Sequence, residues 1–314
     1  MVLTDGSPFR WLGAHQPAST LIGTMDDATG TVLALTFRDQ EDLHGYTVVL
    51  RDTIQHHGVP WTLYGDRAAI LVRNDPHWTV EEELEGRQRP SHFGLMLESL
   101  GIRYIAALSP QAKGRIERLW RTLQDRLAAE LALRRCDTRE RAEAFLPAFM
   151  ARYNERFARP PRDTASVWRK RPKDLDQRLA CRYPRVVRLD NTVVLGNELL
   201  QLPPGPAQRS YARCRVEVHE LLDGRRLVVH EGRVLLQQEA PPGTFQLVPR
   251  HGGNRVGRGP SAHRVPAPPR TQPERPPRGM DRPRVKPAAD HPFRRPYQPI
   301  TRREAPGVSS SRRR

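Results

Sequence analysis

The first part of the chain alternates short apolar runs with turn-forming residues. Val2 to Thr4, Thr20–Met25 and Thr31–Phe37 have the composition of β-strands. Asp26-Asp27-Ala28-Thr29-Gly30 supplies turn residues between the last two strands, so we assign both aspartates to a hairpin rather than to a ligand site. The pattern predicts an antiparallel meander whose first strand is short.

Helical spacing of apolar residues follows the meander. After Asp42, the apolar positions predict a helix that Gly58 ends, and Val59–Tyr64 is predicted as a fourth strand. Ser91 is expected to cap a short helix that Gly101 ends, and Ile102–Ala107 is predicted as a fifth strand. The polar residues between 67 and 90, including Glu81-Glu82-Glu83, have no steady period and are predicted to form a solvated surface insertion.

Two long helices are predicted next. The first begins at about Pro110 and carries an apolar stripe that includes Ile116, Leu119 and Leu123, while its other face is polar. The second covers Arg139–Phe157, where Pro147 is expected either to kink the helix or to mark its start. Strands and helices mixed in this order predict an α/β core over residues 1–157, with a five-stranded mixed sheet flanked by helices.

The remainder of the chain has a different composition. Residues 158–182 are rich in Pro, Arg and Lys and are predicted to be a linker. Residues 183–249 are predicted to form a small all-β barrel with a hairpin turn at Asp223-Gly224. Its expected strands are Val186–Leu189, Val193–Leu202, Val216–Leu222 and Leu227–Leu236. Residues 250–314 form an Arg/Pro-rich tail that we expect to be disordered.

The charge of the chain favours a polyanionic partner such as nucleic acid. The formal net charge is +17, and residues 251–314 supply +12 of it with 16 basic and four acidic side chains. The three cysteines, at positions 136, 181 and 214, have no close spacing that would indicate a disulfide framework or a zinc ribbon. The sequence has no signal peptide and no apolar run long enough to span a membrane, so we expect a cytoplasmic, nucleoid-associated protein.

Three carboxylates stand out by their positions. Asp5 ends the predicted first strand, Asp66 follows the fourth, and Glu117 lies on the polar face of the first long helix. A lone carboxylate at such a position is usually a turn residue, a cap or a solvated side chain. Three together, with strand-strand-strand-helix-strand-helix-strand-helix order, match the ribonuclease-H-like layout. Their oxygen ligands suit Mg²⁺ or Mn²⁺.

Four ordered motifs carry a resemblance to a known family. They are Thr4-Asp5-Gly6-Ser7-Pro8-Phe9-Arg10-Trp11, Met25-Asp26-Asp27-Ala28-Thr29-Gly30, Tyr64-Gly65-Asp66-Arg67 and Ser109-Pro110-Gln111-Ala112-Lys113-Gly114-Arg115-Ile116-Glu117-Arg118. In this order they resemble insertion-sequence transposases of the ISNCY-like group, which have a retroviral-integrase-type catalytic core. The resemblance covers roughly residues 2–249.

The resemblance implies a site and an activity. It makes Asp5, Asp66 and Glu117 the metal-binding catalytic triad, holding two Mg²⁺ or Mn²⁺ ions for hydrolysis at the ends of the element and for attack of the freed 3′ hydroxyl on target DNA. It also implies double-stranded DNA as partner and a homo-oligomer assembled on it. The separation of 51 residues from Asp66 to Glu117 exceeds the spacing of retroviral integrases, and the stretch 67–90 accounts for the excess.

Basic residues around Glu117 are candidates for DNA binding. Lys113 and Arg121 lie one turn before and one turn after Glu117 on the same helix face, and Arg115 belongs to the same motif. They can contact DNA phosphates, or they can form ordinary ion pairs with the glutamate. The predicted β-barrel of residues 183–249 is called the β-module below. Its residues Arg209, Arg213 and Arg215 indicate, more weakly, that the β-module binds DNA or takes part in assembly.

Two departures leave alternatives open. Transposases of this group normally carry an N-terminal helix-turn-helix region, whereas this chain begins four residues before Asp5, so we expect a truncated copy with a clipped first strand. One alternative function is therefore a catalytically inactive, DNA-binding remnant of a transposase. A second is a ribonuclease-H-like nuclease that cleaves RNA–DNA hybrids, against which the Ser109–Arg115 motif argues.

Overall fold

The structure is a computed structural model that describes residues 1–73, 77–78, 80–107, 114–240 and 243–250. Its first part is built on a five-stranded sheet in the order β3-β2-β1-β4-β5. The first three strands are antiparallel, and β4 and β5 run parallel to β1. The predicted five-stranded mixed sheet is confirmed. Its strands are β1 (Val2–Phe9), β2 (Ser19–Asp26), β3 (Val32–Arg38), β4 (Thr62–Gly65) and β5 (Arg103–Ala106).

Helices cover both faces of this sheet, as predicted. Neighbouring residues of a strand point to opposite faces, and Val2 and Leu3 accordingly belong to two different hydrophobic clusters. The cluster with Val2 includes apolar residues of α1 and α3, and the cluster with Leu3 includes those of α4 and α5. The helices are α1 (Leu43–His57), α2 (Val80–Glu85), α3 (His92–Ser99), α4 (Gly114–Leu133) and α5 (Arg139–Phe157).

Local signals in the sequence account for several of these boundaries. The Asp42 carboxylate accepts the Gly45 N–H at 2.7 Å and caps α1, which ends at Gly58. Ser91 caps α3 through the Gly94 N–H at 3.1 Å. Between β2 and β3 the Asp26 carboxylate accepts the backbone N–H of Thr29 at 3.1 Å. The assignment of Asp26 and Asp27 to a hairpin turn is confirmed.

The first strand is longer than predicted. β1 continues through Asp5 to Phe9 and pairs with β2 at all eight of its positions, so Asp5 lies within the strand rather than at its end. The polar composition of residues 5–8 conceals this extension. β4 pairs with β1 only at Val2 and Leu3, so the outer half of β1 has no strand neighbour on that side among the described residues. Pro8, which has no N–H to donate, is tolerated there.

The acidic insertion is not fully solvated, contrary to the prediction. Glu82 on α2 is only 1% exposed, and it forms an ion pair with Arg73. Its carboxylate also accepts the backbone N–H of Arg89 at 2.9 Å. Leu71 is buried as well. A buried carboxylate with a guanidinium and an amide donor fixes the fold of this insertion, a role that the acidic composition does not reveal.

The C-terminal region of the described chain consists mainly of β-strands, but these differ from the strands predicted. The predicted strand Val186–Leu189 is wrong in its bounds. The observed strand covers Cys181–Val186 and begins inside the predicted linker. The predicted strand Val193–Leu202 is a hairpin of two strands, with Gly196 at φ +62° between them. The elements are α6 (Leu175–Arg178), β6 (Cys181–Val186), β7 (Thr192–Leu195), β8 (Glu198–Gln201), β9 (Arg215–Glu220), β10 (Arg226–His230) and β11 (Arg233–Gln238).

The closed barrel is not confirmed. The strands of this region form a four-stranded sheet in the order β11-β10-β9-β6 and a separate two-stranded sheet, β7-β8, and among the described residues no pairing joins the outer strands. The hairpin turn at Asp223-Gly224 is confirmed between β9 and β10. One hydrophobic cluster contains residues of both the α/β core and the β-module. The domain boundaries therefore stay predictions, and the tail beyond residue 250 lies outside the described residues.

Within the part of the chain that the structure describes, no helix combines the length and the apolar character needed to cross a bilayer.

Candidate active site

Asp5 faces α4 from the middle of β1. The indole Nε1 of Trp120 donates a hydrogen bond to Asp5 Oδ2 at 3.1 Å. Gly23 is the cross-strand partner of Asp5, and a Cβ at this position would approach the ring of Trp120 to 3.0 Å. A glycine on β2 thus leaves the space in which the Trp120 ring reaches the carboxylate.

Asp66 lies beside Asp5 at the end of the neighbouring strand. Leu3 of β1 is in register with Tyr64 of β4, and the two strands are parallel, so the residues two positions further along are Asp5 and Asp66. Between them Gly65 packs against the backbone of Thr4, where a Cβ would come within 3.2 Å of the Thr4 carbonyl oxygen. The register and this close backbone approach bring the first two predicted site residues to the same level of the sheet.

Hydrogen bonds hold Asp66 in a defined geometry. Its Oδ1 accepts the backbone N–H of Ala68 at 2.8 Å. Its carbonyl oxygen accepts the hydroxyl of Tyr104 at 2.6 Å. The turn after β4 is therefore fixed both by its own side chain and by a residue of β5.

The charges of both aspartates raise the pKa values of two tyrosines. Burial raises the pKa of Tyr104, and the charges of Asp66 and Asp5 raise it further. The pKa of Tyr46 is raised by burial first, then by the charges of Glu41, Asp5 and Asp66. Because the same two carboxylates act on the same two phenols, the electrostatics agree with the strand register.

Glu117 occupies the first turn of α4 and is exposed. Contacts on either side fix its level along the sheet. Two residues earlier, Arg115 forms an ion pair with Asp27 at 3.1 Å beyond the end of β2, and three residues later Trp120 contacts Asp5. Glu117 therefore projects from a stretch of α4 that runs along the first residues of β1.

The three acids do not form a ready metal centre. Among the described residues, no group of three or more His, Cys, Asp or Glu side chains is close enough to hold a metal ion. The donor atoms of the three side chains still suit a hard divalent cation, because Asp5, Asp66 and Glu117 offer only carboxylate oxygens. The three cysteines are free, and burial raises the pKa of Cys181 to about 12. The triad as a metal site stays a prediction.

Two of the residues predicted to bind DNA, Arg115 and Arg121, lie on different flanks of α4. Residues 117, 121 and 124 follow each other at spacings of four and three and share one flank of α4, while residues 115, 118 and 122 share another. Arg121 is exposed on the flank of Glu117, and it does not form an ion pair with Glu117. Arg115 lies on the other flank, where Asp27 binds it. Lys113 lies outside the described residues.

The residues that position the acids are not among those predicted from the sequence. Trp120 was not singled out, although it follows Glu117 by three residues and lies where the apolar stripe meets the polar face. Gln124 was also missed, and its Nε2 donates to Ser7 Oγ at 3.0 Å, two residues beyond Asp5 on the same face of β1. A helical projection of α4 against the alternation of β1 would have identified both. The Tyr104 contact, in contrast, depends on the pairing of β4 with β5.

Several known proteins are similar to this chain in structure or in sequence. No model of a known protein family matches it. A chain of the simian T-cell lymphotropic virus intasome, solved by cryo-EM in complex with PP2A regulatory subunit B56 gamma, has a TM-score of 0.36 and 15% identity, covering 76% of this chain and 78% of that chain.

Two curated proteins are similar in sequence. "Putative transposase y4bF" of Sinorhizobium fredii (strain NBRC 101917 / NGR234) is 33% identical over 238 residues, which is 75% of this chain and 51% of that protein. "Transposase for insertion sequence IS1202" of Streptococcus pneumoniae is 32% identical over 179 residues, 57% of this chain and 37% of that protein. The chain spans about half, or less, of the length of these relatives. Over 57% to 75% of its own length, this chain is a homologue of proteins named as transposases.

Proposed function

We propose that the chain catalyses metal-dependent cleavage and strand transfer of DNA, as the ribonuclease-H-like catalytic part of an insertion-sequence transposase. The observation that carries the proposal is the position of Asp5 and Asp66 at one level of two neighbouring parallel strands, beside the helix whose first turn contains Glu117. The relatives named as transposases support the same activity.

Asp5, Asp66 and Glu117 would hold two divalent cations, Mg²⁺ or Mn²⁺. When bound, such ions activate an attacking oxygen and stabilise a leaving oxygen in phosphoryl transfer. The other residues of the site orient the ligands. The Trp120 indole N–H directs one oxygen of Asp5, and the Ala68 N–H directs one oxygen of Asp66. Ligands that are oriented before binding lose less conformational freedom when the cation arrives.

Double-stranded DNA is the proposed substrate, as element ends and as target, with the chain acting as a homo-oligomer on it. The net charge of +17 supports a polyanionic partner. On the Glu117 flank of α4, Arg121 is an exposed cation near the acids, suited to contact a phosphate. Lys113 is proposed to act with it.

A strand-transfer assay on short duplexes with Mn²⁺ tests the proposal. Glu117→Gln removes a carboxylate oxygen that binds the cation and is expected to lower product formation by more than about 100-fold, the equivalent of several kcal/mol of transition-state stabilisation. Asp125→Asn is the matched control, because Asp125 is exposed on the same helix and belongs to no proposed site. The control is expected to retain wild-type activity.

Two outcomes would contradict this function. Equal products from the wild type and Glu117→Gln would contradict the role of Glu117, and no product above the protein-free background from the wild type would indicate the alternative of a DNA-binding protein without catalytic activity. Cleavage of an RNA–DNA hybrid in preference to duplex DNA would indicate a ribonuclease-H-like nuclease instead.

A further inference from the structure

A cavity of about 390 Å³ lies on the flank of α4 that carries residues 115, 118 and 122. The β2–β3 turn forms one side of it, and α4 and the end of α5 form the others. The buried stripe of α4, which contains Leu119 and Leu123, separates this flank from the flank of Glu117. Its lining includes Asp27, Thr29, Arg115, Arg118, Tyr153 and Arg159.

The lining carries an excess of positive charge. The lining contains three arginines, Arg115, Arg118 and Arg159, and one carboxylate, that of Asp27. The Asp27 carboxylate pairs with Arg115 at 3.1 Å. Arg118 and Arg159 are exposed, and neither side chain forms an ion pair or a hydrogen bond within the described part of the chain. Many other arginines here do have carboxylate partners, as in the pairs Arg38–Asp42, Arg141–Asp137 and Arg152–Glu130. The two arginines at the cavity are therefore available to an external anion.

An aromatic residue fixes further guanidinium groups at the rim. The ring of Phe157 packs against that of Tyr153, with centroids 4.8 Å apart. The guanidinium carbons of Arg126 and Arg156 lie 4.9 Å and 5.6 Å from the Phe157 centroid. Stacking of this kind restricts an arginine while its N–H groups stay directed outward.

The walls of the cavity are tied together. The backbone N–H of Arg159 donates to the carbonyl of Thr29 at 2.9 Å, which joins the end of α5 to the β2–β3 turn. Asn154 bonds both the N–H and the carbonyl of Val32, each at 2.8 Å. The arginines are consequently mounted on elements that do not need to rearrange before an anion binds.

We propose that this cavity binds the phosphate backbone of a DNA strand at a second contact, away from the catalytic acids. The inference rests on the proposed function, since it takes DNA as the polyanion. Arg118 and Arg159 would contact phosphate oxygens, while Arg126 and Arg156 extend the positive surface along the strand. Contacts of this kind add affinity and orientation but do not read the base sequence.

The test compares two double variants of the full chain. Arg118→Gln with Arg159→Gln removes the two unpaired cations of the cavity. Arg134→Gln with Arg141→Gln removes equal charge from exposed arginines at the opposite end of the α4–α5 pair. Binding to a fluorescent duplex of arbitrary sequence is measured by anisotropy over a series of salt concentrations, and thermal melting verifies that each variant folds.

The cavity variant is expected to flatten the dependence of log affinity on log salt by about 1 to 2, because each phosphate contact contributes about 0.9 to the slope. The control is expected to keep the wild-type slope. Equal slopes for the two variants would overturn the proposal, while the Glu117→Gln comparison would still report on the proposed function.

Two further outcomes are decisive. If oligoglutamate bound the wild type as tightly as DNA and lost its affinity in the cavity variant, the occupant would be an acidic protein segment and the proposal would be wrong. Absence of any DNA binding by the wild type would overturn both this inference and the proposed function.

Discussion

The hydrogen bond between Trp120 and Asp5 is the contact on which the candidate site depends at the scale of single residues. Trp120 is only 5% exposed, and its N–H at 3.1 Å directs a carboxylate that lies in the middle of a strand. A hydrogen bond to a charged acceptor in such a place contributes about 1.5–3 kcal/mol. Gly23 leaves room for the contact, because a Cβ there would lie 2.6 Å from Leu35 and 3.0 Å from the indole.

Trp120→Phe is therefore expected to weaken the binding of Mn²⁺, because Asp5 loses the donor that orients it. The half-saturating Mn²⁺ concentration in the strand-transfer assay is expected to rise by about 10-fold, the lower end of the effect of removing a residue that hydrogen-bonds a metal ligand. The measurement is a Mn²⁺ titration of the initial rate.

Trp11→Phe is the matched control. Trp11 is buried in the same hydrophobic cluster, but its Nε1 donates to a neutral acceptor, the Ser7 carbonyl, at 3.1 Å. Both substitutions remove similar volume and should lower the melting temperature. A shift of the Mn²⁺ requirement in both variants, or in neither, would show that Trp120 acts only through packing.

At the scale of elements, alternation and caps in the sequence predicted the sheet, its order of elements and the principal helices. The misses have local physical reasons. β1 was cut short because the polar residues 5–8 look like a turn, while β2 alone supplies the backbone partners that keep them extended. Glu82 was assigned to solvent because burial of a carboxylate depends on Arg73 and on a backbone amide that reach it only in the folded chain.

The candidate site was predictable only in part. The strand ends and the polar flank of α4 identify Asp5, Asp66 and Glu117 as candidates, but the register that aligns Leu3 with Tyr64 appears only in the sheet. The separation of Arg115 from Arg121 follows from helical geometry and was overlooked. That Arg115 has a partner, Asp27 on the β2–β3 turn, could not be read from the sequence.

α5 protects the exposed edge of the sheet, and one of its contacts is pH-dependent. β3 is an edge strand, and the Glu143 carboxylate accepts the Thr36 hydroxyl at 2.9 Å and the Phe37 N–H at 2.5 Å. Burial raises the pKa of Glu143 above its ordinary value of 4.5, and the bonds from Phe37 and Thr36 oppose this shift only in part. Folding therefore favours the protonated acid, and this stabilisation is lost as the pH rises through the raised pKa.

Glu143→Gln keeps an acceptor oxygen without the charge. Compared with the wild type, the variant is expected to melt at an equal or higher temperature at neutral pH, and its advantage should shrink as the pH falls towards 4.5. Melting temperatures of both proteins between about pH 4 and pH 8 provide the measurement, with Glu155→Gln on the exposed side of α5 as control. A wild type that gains stability over the variant with rising pH would refute the argument.

At the scale of the whole molecule, residues 243–250 connect the β-module to the α/β core. Leu247 is 1% exposed within the hydrophobic cluster that both parts share, and its N–H donates to His44 Nδ1 on α1 at 3.0 Å. Three residues later the Arg250 guanidinium contacts the buried Glu220 carboxylate of β9 at 2.7 Å. The shared cluster indicates that the two parts depend on each other for their stability, as they would not if they were independent domains.

Leu247→Ala is therefore expected to destabilise the α/β core as well as the β-module, by about 2–5 kcal/mol, the range for removing a buried leucine side chain. Four of the five tryptophans of the chain, at positions 11, 61, 78 and 120, lie in the α/β core and the fifth, Trp168, lies in the predicted linker, so their fluorescence reports on the part of the chain that precedes the β-module. The expected result is a lower denaturation midpoint by tryptophan fluorescence, coincident with the midpoint by circular dichroism. Val248→Ala, at a position 59% exposed, is the control and should leave both midpoints unchanged. If the fluorescence midpoint stayed at the wild-type value while the circular dichroism midpoint fell, the β-module would unfold alone. The loss of the Leu247 side chain would then destabilise the β-module and not the α/β core.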